Sequence, residues 1–140
     1  NLLVLILQSF LIFFFFFLLA LNVWNLTIIP FMSPEAEDAR KEPENEKAFI
    51  LNSHQHWFTI RKFGEYWYNL NSTLPEPQFV SNTFLGMLLA QHQNDGYFVF
   101  VVRGEFPSSQ ADQMALITPR LGLPLLFIYS LFIYSFIFVY

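Results

Sequence analysis

Residues 26–118 predict an α+β domain, on three observations. Short runs rich in β-branched and aromatic residues (LTIIPF, AFILN, HWFTIRK, YWYNL, YFVFVV) recur between turn signals. SNTFLGMLLAQHQ carries apolar residues at helical spacing behind a serine. The strands succeed one another with helices on one side, which suggests an antiparallel or mixed sheet with flanking helices.

Each element has a local reason. LTIIPF (26–31) is apolar and β-rich, hence a strand. In SPEAEDARK, Ser33 is placed as the N-cap of a helix and Pro34 at its first position. Glu35 and Glu37 fall in the first turns, where the helix dipole favours negative charge. Pro43 ends that helix, and EPENEK is a solvated loop. Strands follow over 48–52, 56–62 and 66–70, the last two joined by a turn at Phe63 and Gly64. TLPEP is a loop. A helix over 81–93 has Ser81 as cap and sets Phe84, Met87, Leu88 and Gln91 on one face. Asn94-Asp95-Gly96 ends it with a residue tolerant of left-handed backbone. YFVFVV (97–102) is a continuous apolar run, expected as a strand buried on both faces. RGEFP is a turn, and ADQMALI begins a last helix.

Composition divides the chain of 140 residues into three parts. Every charged side chain lies between Glu35 and Arg120, with apolar tails of about 20 residues on either side, long enough to cross a bilayer as helices. The division expected is an apolar tail at 1–19, a domain at 20–118 and a second tail at 119–140. Three readings of the tails stand open: membrane spans, buried helices, or translated T-rich noncoding sequence outside the selected protein. Five consecutive phenylalanines at 13–17, and no basic flank close to that tail, argue against a span. A net charge of −4 without a basic patch gives no support for nucleic-acid binding. The absence of cysteine excludes disulfides and thiolate metal sites. The chain starts on Asn rather than Met, which suggests a fragment.

HWFTIRKFGEYWYNLNS (56–72) has the pattern of a hairpin. With its turn centred between Phe63 and Gly64, Lys62 faces Glu65, Ile60 faces Trp67 and His56 faces Asn71. Opposed residues have Cβ atoms about 4.5–5.5 Å apart, close enough for a carboxamide oxygen to accept from one imidazole nitrogen. The second nitrogen is then free to face a third group, which is the base-and-orienter half of a Cys-His-Asn site. A three-residue loop would separate the two, and a plain polar pair at a hairpin end is the alternative. His54 and His56 form an H-x-H on one strand face, but without a third ligand no metal site is expected. His92 is expected on the surface, late in its helix. Asn25-Leu26-Thr27 and Asn71-Ser72-Thr73 match the glycosylation pattern, which matters only in a secretory setting. Trp24 and Trp57 are more simply core residues than ligand contacts.

SHQHWFTIRKFGEYWYNLNS, followed by SNTFLGMLLAQHQNDGYFVFVVRGEFP and ADQ, closely resembles the Josephin domain, the papain-like deubiquitinase module of the Machado–Joseph disease protein family. NVWNLTIIPFMSPE resembles the segment preceding it, so the similarity runs over about 20–118. The resemblance implies a partial papain-like fold and a thiol protease cleaving isopeptide bonds after ubiquitin's C-terminal glycines, with no cofactor. It implies His56 as general base, Asn71 as its orienter, and Trp24 on a ubiquitin-binding surface. The implied partners are ubiquitin or polyubiquitin chains, in nucleus and cytoplasm; a membrane enters only if the tails are real. In the family, a nucleophilic cysteine and an oxyanion-hole glutamine lie in helices well over 55 residues before the histidine. Here 55 residues precede His56 and Gln8 does not match that glutamine in context, so the nucleophile's segment is expected to be missing. The missing helices would leave one sheet face uncovered, so 20–118 alone is expected to be poorly stable and inactive. The alternatives are a non-catalytic ubiquitin-binding remnant and a small two-span membrane protein.

Overall fold

The computed structural model describes residues 25–54 and 56–106, Asp112 and Gln113, residues 21–23, and within the N-terminal tail Val4, Gln8, Leu11, Ile12, Phe15, Leu18 and Leu19. Strands β1 (Leu26–Pro30), β2 (Ala48–Ser53), β3 (His56–Phe63), β4 (Tyr66–Asn69), β5 (Gln78–Val80) and β6 (Phe98–Gly104) form one sheet, ordered β1-β6-β2-β3-β4-β5. Every pairing is antiparallel, and helices flank the sheet as expected for the α+β class. Pro30 is tolerated because β1 is an edge strand, where a missing N–H breaks no inner ladder. Strand β5 was not expected from the sequence: QFV is three residues long and pairs only with β4.

Alternation along the strands sorts side chains onto two faces. Phe49, Leu51, Phe58, Ile60, Trp67, Val80, Val99 and Val101 share one face, and it packs against the helices to form the main core. Phe31 meets Phe49 edge-on at 5.8 Å, and Phe49 meets Trp67 at 5.5 Å. Fully burying each such ring contributes about 1.5–3 kcal/mol, so this layer dominates stability. On the second face Leu21, just past the expected tail, packs with Leu26, Ala48 and Val102. Farther along, Phe63, Tyr68 and Leu70 cluster, and Arg61 lies 4.7 Å from the Phe63 ring while pairing with Asp112 at 3.1 Å. Burial of YFVFVV on both faces needs correction. Val99, Val101 and Val102 are buried, but Phe98 is 70% exposed and Phe100 only partly covered. The second face is thus less completely covered than the helical one.

The first helical segment begins at Pro34 as expected, but its first turn is a tight 3-10 turn (Pro34–Ala36) before α1 (Glu37–Lys41). There the Ala36 N–H bonds the Ser33 carbonyl (3.2 Å), and the Ser33 hydroxyl makes no cap. Arg40 instead donates back to the carbonyls of Phe31 and Ser33. The second helix, α2 (Asn82–Asn94), is capped by Ser81, whose Oγ accepts from the Phe84 N–H at 3.2 Å. It buries Leu85, Leu88 and Leu89. Phe84 and Met87 face outward, 44% and 64% exposed, so the expected stripe is rotated by about one position. Two apolar sets satisfy helical spacing here, and the sheet takes the one containing three leucines.

Gly96 ends α2 with φ +89°. The Tyr97 N–H bonds the His92 carbonyl (2.9 Å) and the Gly96 N–H bonds the Gln93 carbonyl (3.0 Å). These paired 6→1 and 5→2 bonds are the Schellman motif, which needs a left-handed residue at Gly96. The motif aims the chain directly from α2 into β6.

Arg103 of β6 ties the sheet to the first helical segment through Asp38 (2.8 Å) and the Glu35 carbonyl, and it also pairs with Glu46 just before β2. The described part of the N-terminal tail is helical. Among the described residues, no helix is long and apolar enough to cross a membrane. The expected tail at 119–140, and all but Asp112 and Gln113 of the expected last helix, lie outside the described residues.

Two outcomes test these assignments. Ser81→Ala should cost about 0.5–2 kcal/mol in urea denaturation, and a change under about 0.3 kcal/mol would show that the cap contributes nothing. The hydrogen bond from Arg103, aided by the Ala39 N–H, holds the Asp38 carboxyl below its ordinary value of 3.8. A lowered native pKa contributes stability that is present above the unfolded value and lost as pH falls through the native one. Asp38→Asn should therefore flatten the fall of stability below about pH 4, and equally steep curves for both chains would rule Asp38 out.

Candidate active site

The β3–β4 hairpin is the element that brings the polar candidates together. Its loop is Gly64-Glu65, with Gly64 at φ +59°, the first central position that a type II′ turn gives to glycine. Pairing then runs Phe63↔Tyr66, Lys62↔Trp67, Arg61↔Tyr68 and Ile60↔Asn69. The expected register, with Ile60 opposite Trp67 and Lys62 opposite Glu65, is therefore displaced by two residues. A shift of two preserves which face each side chain takes, whereas a shift of one would have reversed it.

His56 and Asn71 nevertheless meet. Strand β4 stops at Asn69, and the Leu70 N–H makes the last ladder bond, to the Thr59 carbonyl (2.9 Å). The chain then turns, with the Leu74 N–H on the Asn71 carbonyl (3.0 Å), and Asn71 swings back toward the start of β3. His56 Nε2 lies 2.9 Å from Asn71 Oδ1. The strand end supplies what direct cross-strand opposition was expected to supply.

Hydrogen-bond chemistry fixes the roles in this pair. Asn71 Oδ1 also accepts from the Thr73 N–H (3.0 Å) and the Thr73 hydroxyl (2.9 Å), an Asx turn. A backbone N–H can only donate, so the carboxamide atom it meets is the oxygen. Facing that oxygen, His56 Nε2 must carry the proton and donate. The neutral imidazole then holds its lone pair on Nδ1, which has no hydrogen-bond partner among the described residues. An imidazole with one nitrogen anchored and the other bare can accept a proton.

Two buried asparagines support the arrangement. Asn69 Oδ1 accepts from the Asn71 N–H at 3.1 Å. Asn52 Nδ2 donates to the His54 and His56 carbonyls (3.1 and 3.3 Å), clamping the chain where β2 passes into β3. Neither was singled out in the sequence. The available signal was a carboxamide in a strand position whose neighbours are apolar, where burial demands a hydrogen-bond partner.

The remaining candidates separate. His54 sits in the β2–β3 connection with φ +54°, its Nδ1 3.1 Å from Ser53 Oγ, so it shares no strand face with His56. Among the described residues no cluster of three metal-ligating side chains occurs. His92 is not a free surface residue: it is partly buried, its Nδ1 donates to the Leu88 carbonyl (2.8 Å), and its ring packs on Phe58 and Tyr97. Trp57 is buried, 7% exposed. Trp24 lies outside the described residues.

Comparison with known proteins adds the decisive observation: the family model described as Josephin matches residues 16–103. The chain belongs to the Josephin family. It is 50% identical over 95 residues to ataxin-3 of Homo sapiens, covering 68% of this chain and 26% of that protein. It is also 50% identical over 110 residues to the human ataxin-3-like protein, 74% of this chain and 31% of the relative. The ataxin-3 homolog of Arabidopsis thaliana is 46% identical over 88 residues, 63% of this chain and 31% of that one. The chain thus spans about a quarter to a third of the length of these relatives. The antiparallel sheet with its few helices accords with the papain-like Josephin fold.

Asn69→Ala strands the Asn71 N–H without its acceptor in a partly buried setting. It is expected to cost about 1–3 kcal/mol in urea denaturation. A loss below about 0.5 kcal/mol, within the range of neutral surface changes, would show that Asn69 does not brace the turn.

Proposed function

We propose that this chain is the base-and-orienter part of a ubiquitin-directed thiol protease of the Josephin type. The observation that carries the reading is the contact of His56 Nε2 with Asn71 Oδ1, with the Asn71 oxygen assigned by Thr73. Asn71 holds the tautomer and ring of His56. His56 Nδ1 draws the proton from a thiol, and the imidazolium returns it to the leaving amine of the isopeptide. The 140 residues contain no cysteine, so the nucleophile is supplied from outside them. Loss of the nucleophile in a comparable triad costs on the order of a million-fold in rate, and the chain by itself is expected to be inactive. Incubation with a ubiquitin probe carrying a C-terminal electrophile should leave it unmodified.

The roles are tested by replacing the aligned segment of human ataxin-3 with residues 20–106 and assaying a ubiquitin-linked fluorogenic substrate. The chimera should turn over. His56→Ala should lower kcat on the order of a million-fold, as loss of the base does in a comparable triad. Asn71→Ala should lower it by up to about ten thousand-fold. A folded, active chimera indifferent to His56→Ala would overturn the assignment.

The absence of cysteine favours a second reading, a non-catalytic ubiquitin-binding module. It expects the 140-residue chain to shift the resonances of labelled ubiquitin, and Trp24→Ala to weaken the effect. No shift at millimolar chain would exclude it.

A further inference from the structure

A single hydrogen bond holds one atom of the His56 ring and leaves the ring plane to be set by something else. Two aromatic side chains flank it, and a third packs behind them. Phe58, two residues along β3 and therefore on the same face, stacks on the imidazole with centroids 5.5 Å apart and planes at 29°. Tyr97 stands edge-on to the imidazole at 6.4 Å and 80°, and edge-on to Phe58 at 5.6 Å. His92 closes the cluster behind them, 5.2 Å from Phe58 and 5.2 Å from Tyr97, with its own ring anchored on the Leu88 carbonyl.

We propose that Tyr97, braced by His92 and Phe58, is a positioning residue that sets the ring plane of His56. A stacked ring blocks tilting of the imidazole in one direction, and an edge-on ring blocks rotation within the slot that remains. Together they hold the imidazole so that Nε2 stays on Asn71 and the lone pair on Nδ1 keeps one direction. Tyr97 reaches this place through the end of α2: the Schellman bonds at His92 and Gln93 fix the backbone on either side of Gly96, and Tyr97 is the next residue. The role rests on the reading of His56 and Asn71 as base and orienter.

Imidazole nitrogen NMR of the full chain tests it. In the unaltered chain, His56 should show one tautomer, protonated at Nε2, with ring contacts to both Phe58 and Tyr97. Tyr97→Phe keeps the ring and should keep that pattern. Tyr97→Leu should collapse the separation between the two nitrogen signals of His56 toward a tautomer average while the His54 signals stay in place. Gly96→Ala supplies a second route, since an added Cβ meets nothing within 4 Å but φ +89° strains it. Loosening Tyr97 without removing it should blur the His56 pattern in the same sense. An unchanged His56 pattern in either folded variant, or absence of the Tyr97 ring contact in the unaltered chain, overturns the proposal. Asn71→Ala separates the two levels. If that variant leaves His56 unchanged, the base-and-orienter reading fails; if it shifts His56 while Tyr97→Leu does not, only the role of Tyr97 falls.

Discussion

Antiparallel pairing of β3 with β4 sends His56, Phe58 and Ile60 to the same side of the sheet as Trp67, Asn69 and, past the strand end, Asn71. Most of the other features follow from that parity. The face shared by these residues carries the main core, so the register cannot slip by one without turning Phe58, Ile60 and Trp67 out of their packing. Hydrophobic burial therefore protects the polar pair. The catalytic candidates contribute little to the pairing that positions them; the aromatic and aliphatic residues beside them do that.

Much of this was legible in the sequence, for reasons that can be traced residue by residue. Five of the six strands among the described residues were visible because β-branched and aromatic runs between turn signals are strong local evidence. Ser81 and Gly96 were visible because caps are local chemistry. What the sequence left open were questions of tertiary choice. Gly64 marks the turn but does not say whether it is the first or the second loop residue, and the answer moves the register by two. Leu85, Leu88 and Leu89 compete with Phe84 and Met87 for the sheet, and only packing decides between them. Strand β5 is too short to have its own periodic signal and exists because β4 offers it an edge. The meeting of His56 with Asn71 was expected from direct opposition; the structure reaches it by ending the strand and turning.

The polar residues near the pair follow one economy. Asn52, Asn69 and Asn71 each close a short local loop with backbone groups, at the β2–β3 connection, across the end of β4, and in the turn that follows. Buried carboxamides need partners, and here the partners are main-chain atoms within a few residues. The site is thereby stiffened by local bonds that require no distant element. Arg103 works on the opposite scale, joining residues far apart in the chain at the margin of the sheet, where solvent screens its charge.

The cap at Gly96 carries a consequence for how the domain can vary over time. Each residue added to or removed from α2 rotates its last turn by about 100°, because 3.6 residues complete a turn. The bond pattern closing the helix would then point the next side chain to another side. Insertions after the 71–74 turn, at 75–77, meet no such constraint, since that segment returns to the sheet as a loop and only the turn and the start of β5 need to be met. The 13-residue length of α2 should thus be nearly frozen among functional descendants, while the loop before it drifts in length. A helix counts residues where a loop does not, and here the count ends on the ring beside His56.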